Sequence, residues 1–165
     1  MAINLHPMKK ILLFTLSFSS LLSLTAQTKI TKTSVVGKWS LSEVEMAGMF
    51  YYNRDKDSLA LGEMAKAQMK EESQQAAMIA MIKPQLTMFA KVSYEFKSDN
   101  TAIMNSGIMA PQNGVYSVDE ENSTITTTAK DDKKATMKAD MIHDKLRVKL
   151  DSPQGEIVMT LTKDK

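Results

Sequence analysis

Hydrophobic and polar positions alternate with a period of two along most of the second half of the chain. Val92, Tyr94 and Phe96 alternate with Lys91, Ser93, Glu95 and Lys97. Ala135, Met137, Ala139 and Met141 alternate with Thr136, Lys138 and Asp140. The rhythm returns in Leu146, Val148 and Leu150, and again in Ile157, Met159 and Leu161. A period of two sends successive side chains to opposite faces, so each run predicts a half-buried strand. Thr101–Ser106, Val115–Val118 and the Thr-rich Ser123–Ala129 are further β-prone runs. Asp99-Asn100, Pro111–Gly114, Asp119–Asn122, Lys130–Lys133, His143-Asp144 and Ser152–Gly155 read as the turns between them. Strands joined by connections this short are antiparallel neighbours.

One strand is predicted further upstream, Val35 to Glu45, with Val35, Trp39 and Leu41 on one face. Met46 to Tyr52 is apolar and aromatic, and either extends that strand or covers a barrel mouth. Asn53 to Asp57 is a charged loop. Residues 59–83 then change character and become rich in Ala, Met, Gln, Glu and Lys. At 100° per residue, Leu61, Met64, Ala65, Ile79 and Ile82 fall on one side, interrupted by Gln68 and Glu72. The segment predicts one long helix, or two meeting near Glu72-Ser73, with Ser58 as N-cap and Pro84 ending or kinking it. The fold expected is mostly β. It is an eight-stranded antiparallel up-and-down barrel with a helical insertion, 58–83, between the first and second strands. Eight strands can close around side chains or one small ligand, and closure removes exposed edges. An open sheet wrapped around the helix is the competing architecture.

The extreme N-terminus changes the picture of where the barrel works. Met8-Lys9-Lys10 precedes an apolar run from Ile11 to Leu24, and Leu24-Thr25-Ala26 offers a small-residue cut site before Gln27. This predicts a signal peptide over 1–26, a polar lead-in over 27–34 and a barrel domain over 35–165. The apolar core is shorter than the roughly 20 residues of a spanning helix. A secreted or periplasmic location follows, with no membrane association expected after cleavage. Removing Lys9 and Lys10 from 21 basic residues leaves 19, against 19 acidic ones. The exported chain is therefore formally neutral, without the basic stripe that nucleic acid requires. The chain has no Cys, so disulfides, thiolate metal sites and Cys nucleophiles are excluded.

Gly37-Lys38-Trp39 at the start of the first strand resembles the first-strand motif of the lipocalins. With the Phe96–Asn100 hairpin, it is also similar to lipocalin-like domains of secreted Bacteroidetes proteins. The position of the insertion resembles the helical lid of fatty-acid-binding proteins. The resemblance implies that Gly37 and Trp39 form a structural plug at one barrel end. It also implies a late basic side chain on the indole, either Arg147 or Lys163. It implies a lid built from Leu61, Met64, Met78, Ile79 and Ile82 over the other end.

Candidate chemistry narrows the function to binding. Tyr94, Phe96, Tyr116, Met137, Met141 and Met159 are the candidate ligand-pocket residues, with Tyr94 and Tyr116 as hydroxyl anchors. No Arg falls on an inward face, so a carboxylate clamp is not expected. Of 14 Met, 12 remain beyond Met1 and Met8, and Met46-x-x-Met49 and Met78-x-x-Met81 have copper(I)-carrier spacing. Core or pocket lining is the stronger reading of these soft side chains. His143-Asp144 reads as a hairpin turn, and Asp131-Asp132 and Asp119-Glu120-Glu121 as solvated turns that lack calcium-loop spacing. No catalytic residue, metal or cofactor is expected. The expected function is an extracytoplasmic, non-catalytic binding protein for a small hydrophobic or lipid-like molecule. The alternative is a filled barrel acting as a cell-envelope protein–protein interaction module.

Overall fold

The computed structural model describes residues 28–153 and 155–165, so the predicted signal peptide and Gln27 lie outside the described residues. The elements are β1 (Thr28–Lys29), α1 (Lys32–Val35), β2 (Gly37–Met46), β3 (Phe50–Asn53), β4 (Ser58–Leu61), α2 (Glu63–Gln68) and α3 (Glu72–Phe89). They are followed by β5 (Ser93–Phe96), β6 (Thr101–Asn105), β7 (Gln112–Asp119), β8 (Thr124–Ala129), β9 (Lys134–Ile142), β10 (Lys145–Ser152) and β11 (Gly155–Lys163). Strands β5 to β11 pair each with the next, β2 pairs β5, and β11 pairs β2. The result is a closed antiparallel barrel of eight strands with the helices inserted between its first and second strands.

The alternating residues supply the interior. Phe96, Met137, Leu146, Val148, Met159 and Leu161 are buried, and Tyr94, Met141, Leu150 and Ile157 pack against them. Cross-strand partners put them on one face: Leu146 opposes Leu161 and Met141, and Val148 opposes Met159 and Ala139. Each fully buried aliphatic or aromatic side chain contributes about 1.5–3 kcal/mol. The closing seam carries one irregularity. Glu43 opposes Thr160 and Leu41 opposes Leu161, so Ser42 is the extra residue of a β-bulge. Its buried hydroxyl donates to the Thr160 carbonyl at 2.9 Å.

Both edges of β2 are in use, and this opens the wall for the insertion. One edge pairs β11 from Trp39 to Met46. On the other edge, Gly37–Ser40 pair β5, whereas Glu43–Met46 pair β3. The chain therefore neither extends the first strand nor simply covers the mouth after Met46. It turns back at Ala47–Met49 and makes the β3–β4 hairpin. Leu59 and Leu61 belong to β4, opposite Tyr52 and Phe50, which corrects the expected helix start at Ser58. The helical period assigned to 59–83 fails at its first residues because β3 offers a free edge to pair with.

The insertion is two helices, and the second runs past Pro84 to Phe89. Proline in a helix interior removes a hydrogen bond and costs about 3 kcal/mol. Beyond Pro84, Leu86 is buried, and Ile82, Leu86 and Phe89 share the face that meets the barrel. Tertiary packing thus carries the helix through the proline. Lys83 Nζ lies 2.8 Å from Asp57 Oδ2 and ties α3 to the β3–β4 turn. No helix among the described residues is long and apolar enough to cross a membrane.

The polar lead-in is more ordered than its sequence suggests. Thr28 and Lys29 pair with Met141 and Asp140 of β9. Thr31 and Ser34 form a reciprocal capping box for α1, and Ile30 and Val35 are fully buried. Val35 therefore belongs to α1, and the first barrel strand starts at Gly37.

Candidate functional site

The two ends of the barrel differ in what fills them. Trp39 lies at the closed end with 1% of its surface exposed, and its Nε1 donates to the Val35 carbonyl at 2.7 Å. Lys163 Nζ sits 5.3 Å from the indole centroid. Arg147 is engaged elsewhere, donating two-pronged to Asp140 with Nε–Oδ1 at 2.9 Å and Nη2–Oδ2 at 3.0 Å. Lys163 is thus the basic side chain on the plug. Gly37 has φ +138°, and a Cβ there would overlap Lys163 Cε. Among the described residues, no fully buried side-chain polar atom lacks a partner.

The other end holds two small cavities. The first, about 260 Å³, lies between α3 and the barrel rim. Ile82, Gln85, Leu86 and Phe89 of α3 line one side, and Val44, Met46, Phe50, Ile157 and Met159 of the strands line the other. Gln85 is the only polar residue among these. The second, about 200 Å³, is bounded by Tyr94, Met104, Thr127, Ala135, Met137 and Leu150. Asn105, Ser106, Met109 and Gln112 close it from the β6–β7 connection. Leu150 of one lining and Ile157 of the other are direct partners across β10 and β11, so the walls of the two cavities meet at that pair.

Of the expected pocket residues, Tyr94, Met137 and Met159 line these cavities. Phe96, Tyr116 and Met141 line neither. Phe96 and Tyr116 are buried with ring centroids 4.9 Å apart, and the Tyr116 hydroxyl donates to the Lys97 carbonyl at 2.8 Å. That hydrogen bond aims Tyr116 at the β5–β6 turn and away from the mouth. Met141 packs against the core opposite Leu146. Of the expected lid residues, only Ile82 lines a cavity. Leu61 is a buried strand residue. Met64 is 57% exposed and lies against Gly48, to which it is fixed by backbone bonds from Met64 and Ala65 to the Gly48 carbonyl. Met78 and Ile79 are half-buried on α3, one to two turns before the cavity wall. Beside Ile82, the side chains over the mouth are Gln85, Leu86 and Phe89, which follow Pro84 and escaped the expectation because it ended the helix at 83.

Larger depressions lie on the outer wall. The widest, about 510 Å³, mixes Glu43, Glu45 and Glu156 with His143, Lys145, Arg147 and Lys149. Its charges are partly spent on one another: Lys145 Nζ donates to Glu43 Oε1 at 3.0 Å. His143 and Asp144 both have positive φ, 47° and 61°, as a two-residue primed hairpin turn requires. This depression is lined mainly by charged side chains, whereas the cavity under α3 is lined by converging apolar ones. Among the described residues, no three His, Asp or Glu side chains converge as a metal site would need.

No family model matches the chain, and no curated protein or solved structure shows significant similarity to it.

Proposed function

We propose that this chain is a non-catalytic, lipocalin-like binding protein of the bacterial cell envelope that takes a small apolar molecule at the barrel mouth. The observation that carries the reading is the cavity between α3 and the rim. Eight of its nine lining residues are apolar, and α3 passes through an unfavourable proline to make one wall. Pockets for drug-sized ligands measure about 300–1,000 Å³. Each chamber here falls below that range, so the ligand is slender or small, such as one acyl chain. The envelope location rests on the signal-like segment 8–26.

The test is titration of the purified protein with diphenylhexatriene, a hydrocarbon that fluoresces on entering apolar surroundings. One equivalent is expected to bind, and Ile82→Trp, which fills the chamber, is expected to abolish binding. A protein that binds neither this probe nor a panel of fatty acids and sterols would not be a carrier.

A second reading has its own observation. Met81, Phe89, Ile108 and Met109 are exposed around the mouth, a pattern that also suits a filled barrel docking a protein partner. It predicts that Ile82→Trp leaves function intact.

A further inference from the structure

The two chambers at the mouth differ in polarity. Gln85 is the only polar side chain on the α3 chamber. The neighbouring chamber carries Asn105, Ser106, Gln112 and Thr127 beside Tyr94. An occupant that spans the Leu150–Ile157 boundary would lay its apolar part against α3 and its polar part beside Tyr94.

Neither chamber is lined by Lys, Arg, His, Asp or Glu. A carboxylate, phosphate or ammonium head entering here would lose its hydration and meet no counter-charge, which is strongly unfavourable. Three of these side chains have an oxygen already engaged, which leaves the Asn105 NH2, the Ser106 O–H and the Gln112 amide as further polar groups beside Tyr94. Asn105 Oδ1 accepts from the Gly107 N–H at 3.0 Å, and Ser106 Oγ accepts from the Met109 N–H at 3.3 Å. Thr127 Oγ1 donates to the Ala135 carbonyl at 3.4 Å. The Tyr94 hydroxyl has no hydrogen-bond partner among the described residues. Since no fully buried side-chain polar atom among the described residues lacks a partner, this oxygen is not fully enclosed and is open to a partner at the mouth. The Tyr94 ring is held by stacking on Phe96, with centroids 5.9 Å apart and planes 7° from parallel. Burial raises its pKa above the ordinary tyrosine value, so the hydroxyl remains a donor at neutral pH.

We propose that the mouth binds an uncharged amphiphile whose head carries a hydrogen-bond-accepting carbonyl, an ester, ketone or amide, which accepts from Tyr94 Oη. The inference rests on the apolar-binding reading above and adds the ligand class to it.

Displacement of diphenylhexatriene by methyl decanoate and by decanoate at pH 8 separates the two. Methyl decanoate is expected to displace the probe at concentrations at least about tenfold lower than decanoate. Tyr94→Phe is expected to weaken methyl decanoate about three- to tenfold, the loss of one hydrogen bond, once the displacement is corrected for the variant's own affinity for diphenylhexatriene. A circular-dichroism spectrum and melting temperature matching the unaltered protein show that the variant is folded. Equal displacement by decanoate would overturn the neutral-head inference and leave apolar binding standing. Unchanged ester affinity in Tyr94→Phe would overturn the anchor. Failure of the probe to bind the unaltered protein would overturn both readings.

Discussion

Lys163 lays its ammonium 5.3 Å from the centroid of Trp39, joining the last strand of the barrel to the first at the closed end. The neighbouring residues repeat the link. The Asp164 N–H donates to the Lys38 carbonyl at 2.8 Å, and Lys38 Nζ lies 3.0 Å from Asp164 Oδ2. Lys163→Met keeps the aliphatic stem and removes the charge. It is expected to cost about 0.5–1 kcal/mol. Gly37→Ala is expected to cost more, about 1–3 kcal/mol, because it strains φ and meets the Lys163 stem. Urea unfolding followed by the fluorescence of Trp39, the one Trp in the chain, measures both.

Gly62 packs directly on Gly48. A Cβ at Gly62 would overlap the Gly48 carbonyl, which already accepts from Met64 and Ala65 at 2.9 and 3.1 Å. Gly62→Ala is expected to destabilise the protein by about 1–3 kcal/mol through this backbone clash. Gly155→Ala is the contrast: it meets no neighbour, and its strain comes from φ alone. Thermal denaturation of the two variants separates steric from conformational cost.

Leu86 is 3% exposed and lies outside the main barrel cluster, under α3. Leu86→Ala is expected to cost about 2–5 kcal/mol locally. Amide exchange should quicken along α3 while β7 to β11 keep their protection. Uniform loss of protection would show that α3 and the barrel unfold as one unit.

Several turn carboxyls titrate low. The Thr101 hydroxyl and N–H hold Asp99 below the usual carboxylate range, with Oγ1–Oδ1 at 2.7 Å. The Asn122 side chain and N–H do the same for Asp119. The Ser40 hydroxyl and then Lys38 lower Asp164. A depressed folded pKa means that the unfolded chain takes up protons first as the pH falls. Stability from these groups is present above their unfolded value, about 3.9, and is lost on acidification through the lower folded values. The melting temperature is expected to be level from about pH 6 to 8 and to fall below about pH 4.5. Asp99→Asn and Asp119→Asn together should flatten the acid limb.

Four of the seven later strands are legible in the sequence because each carries its own period of two, where a register error would turn every apolar side chain outward. The other three are legible from β-prone residues between turn signals. Closure is legible from their number. The β3–β4 hairpin is not, because Leu59 and Leu61 adjoin a long stretch of helix formers and share its apolar character. Pairing with Tyr52 and Phe50 decides their state, and no local signal marks it. The lead-in is misread for a similar reason: Ile30 is an isolated apolar residue in polar surroundings, and Val35 beside Val36 reads as the start of the strand, yet both are fully buried and Val35 belongs to α1. The site is half legible. Alternation places Tyr94, Met137 and Met159 inward, but it does not say which inward residues fill the closed end, as Phe96 and Tyr116 do.

The methionines allow the central claim, an apolar ligand between α3 and the rim, to be read directly. Met46 and Met159 line the α3 chamber, Met104, Met109 and Met137 line its neighbour, and Met64, exposed against Gly48, lines neither. With methyl-labelled methionine, NMR titration with methyl decanoate is expected to shift the Met46 and Met159 methyl signals most, those of Met104 and Met137 next, and that of Met64 not at all. Saturable binding that leaves Met46 and Met159 unmoved would contradict the account.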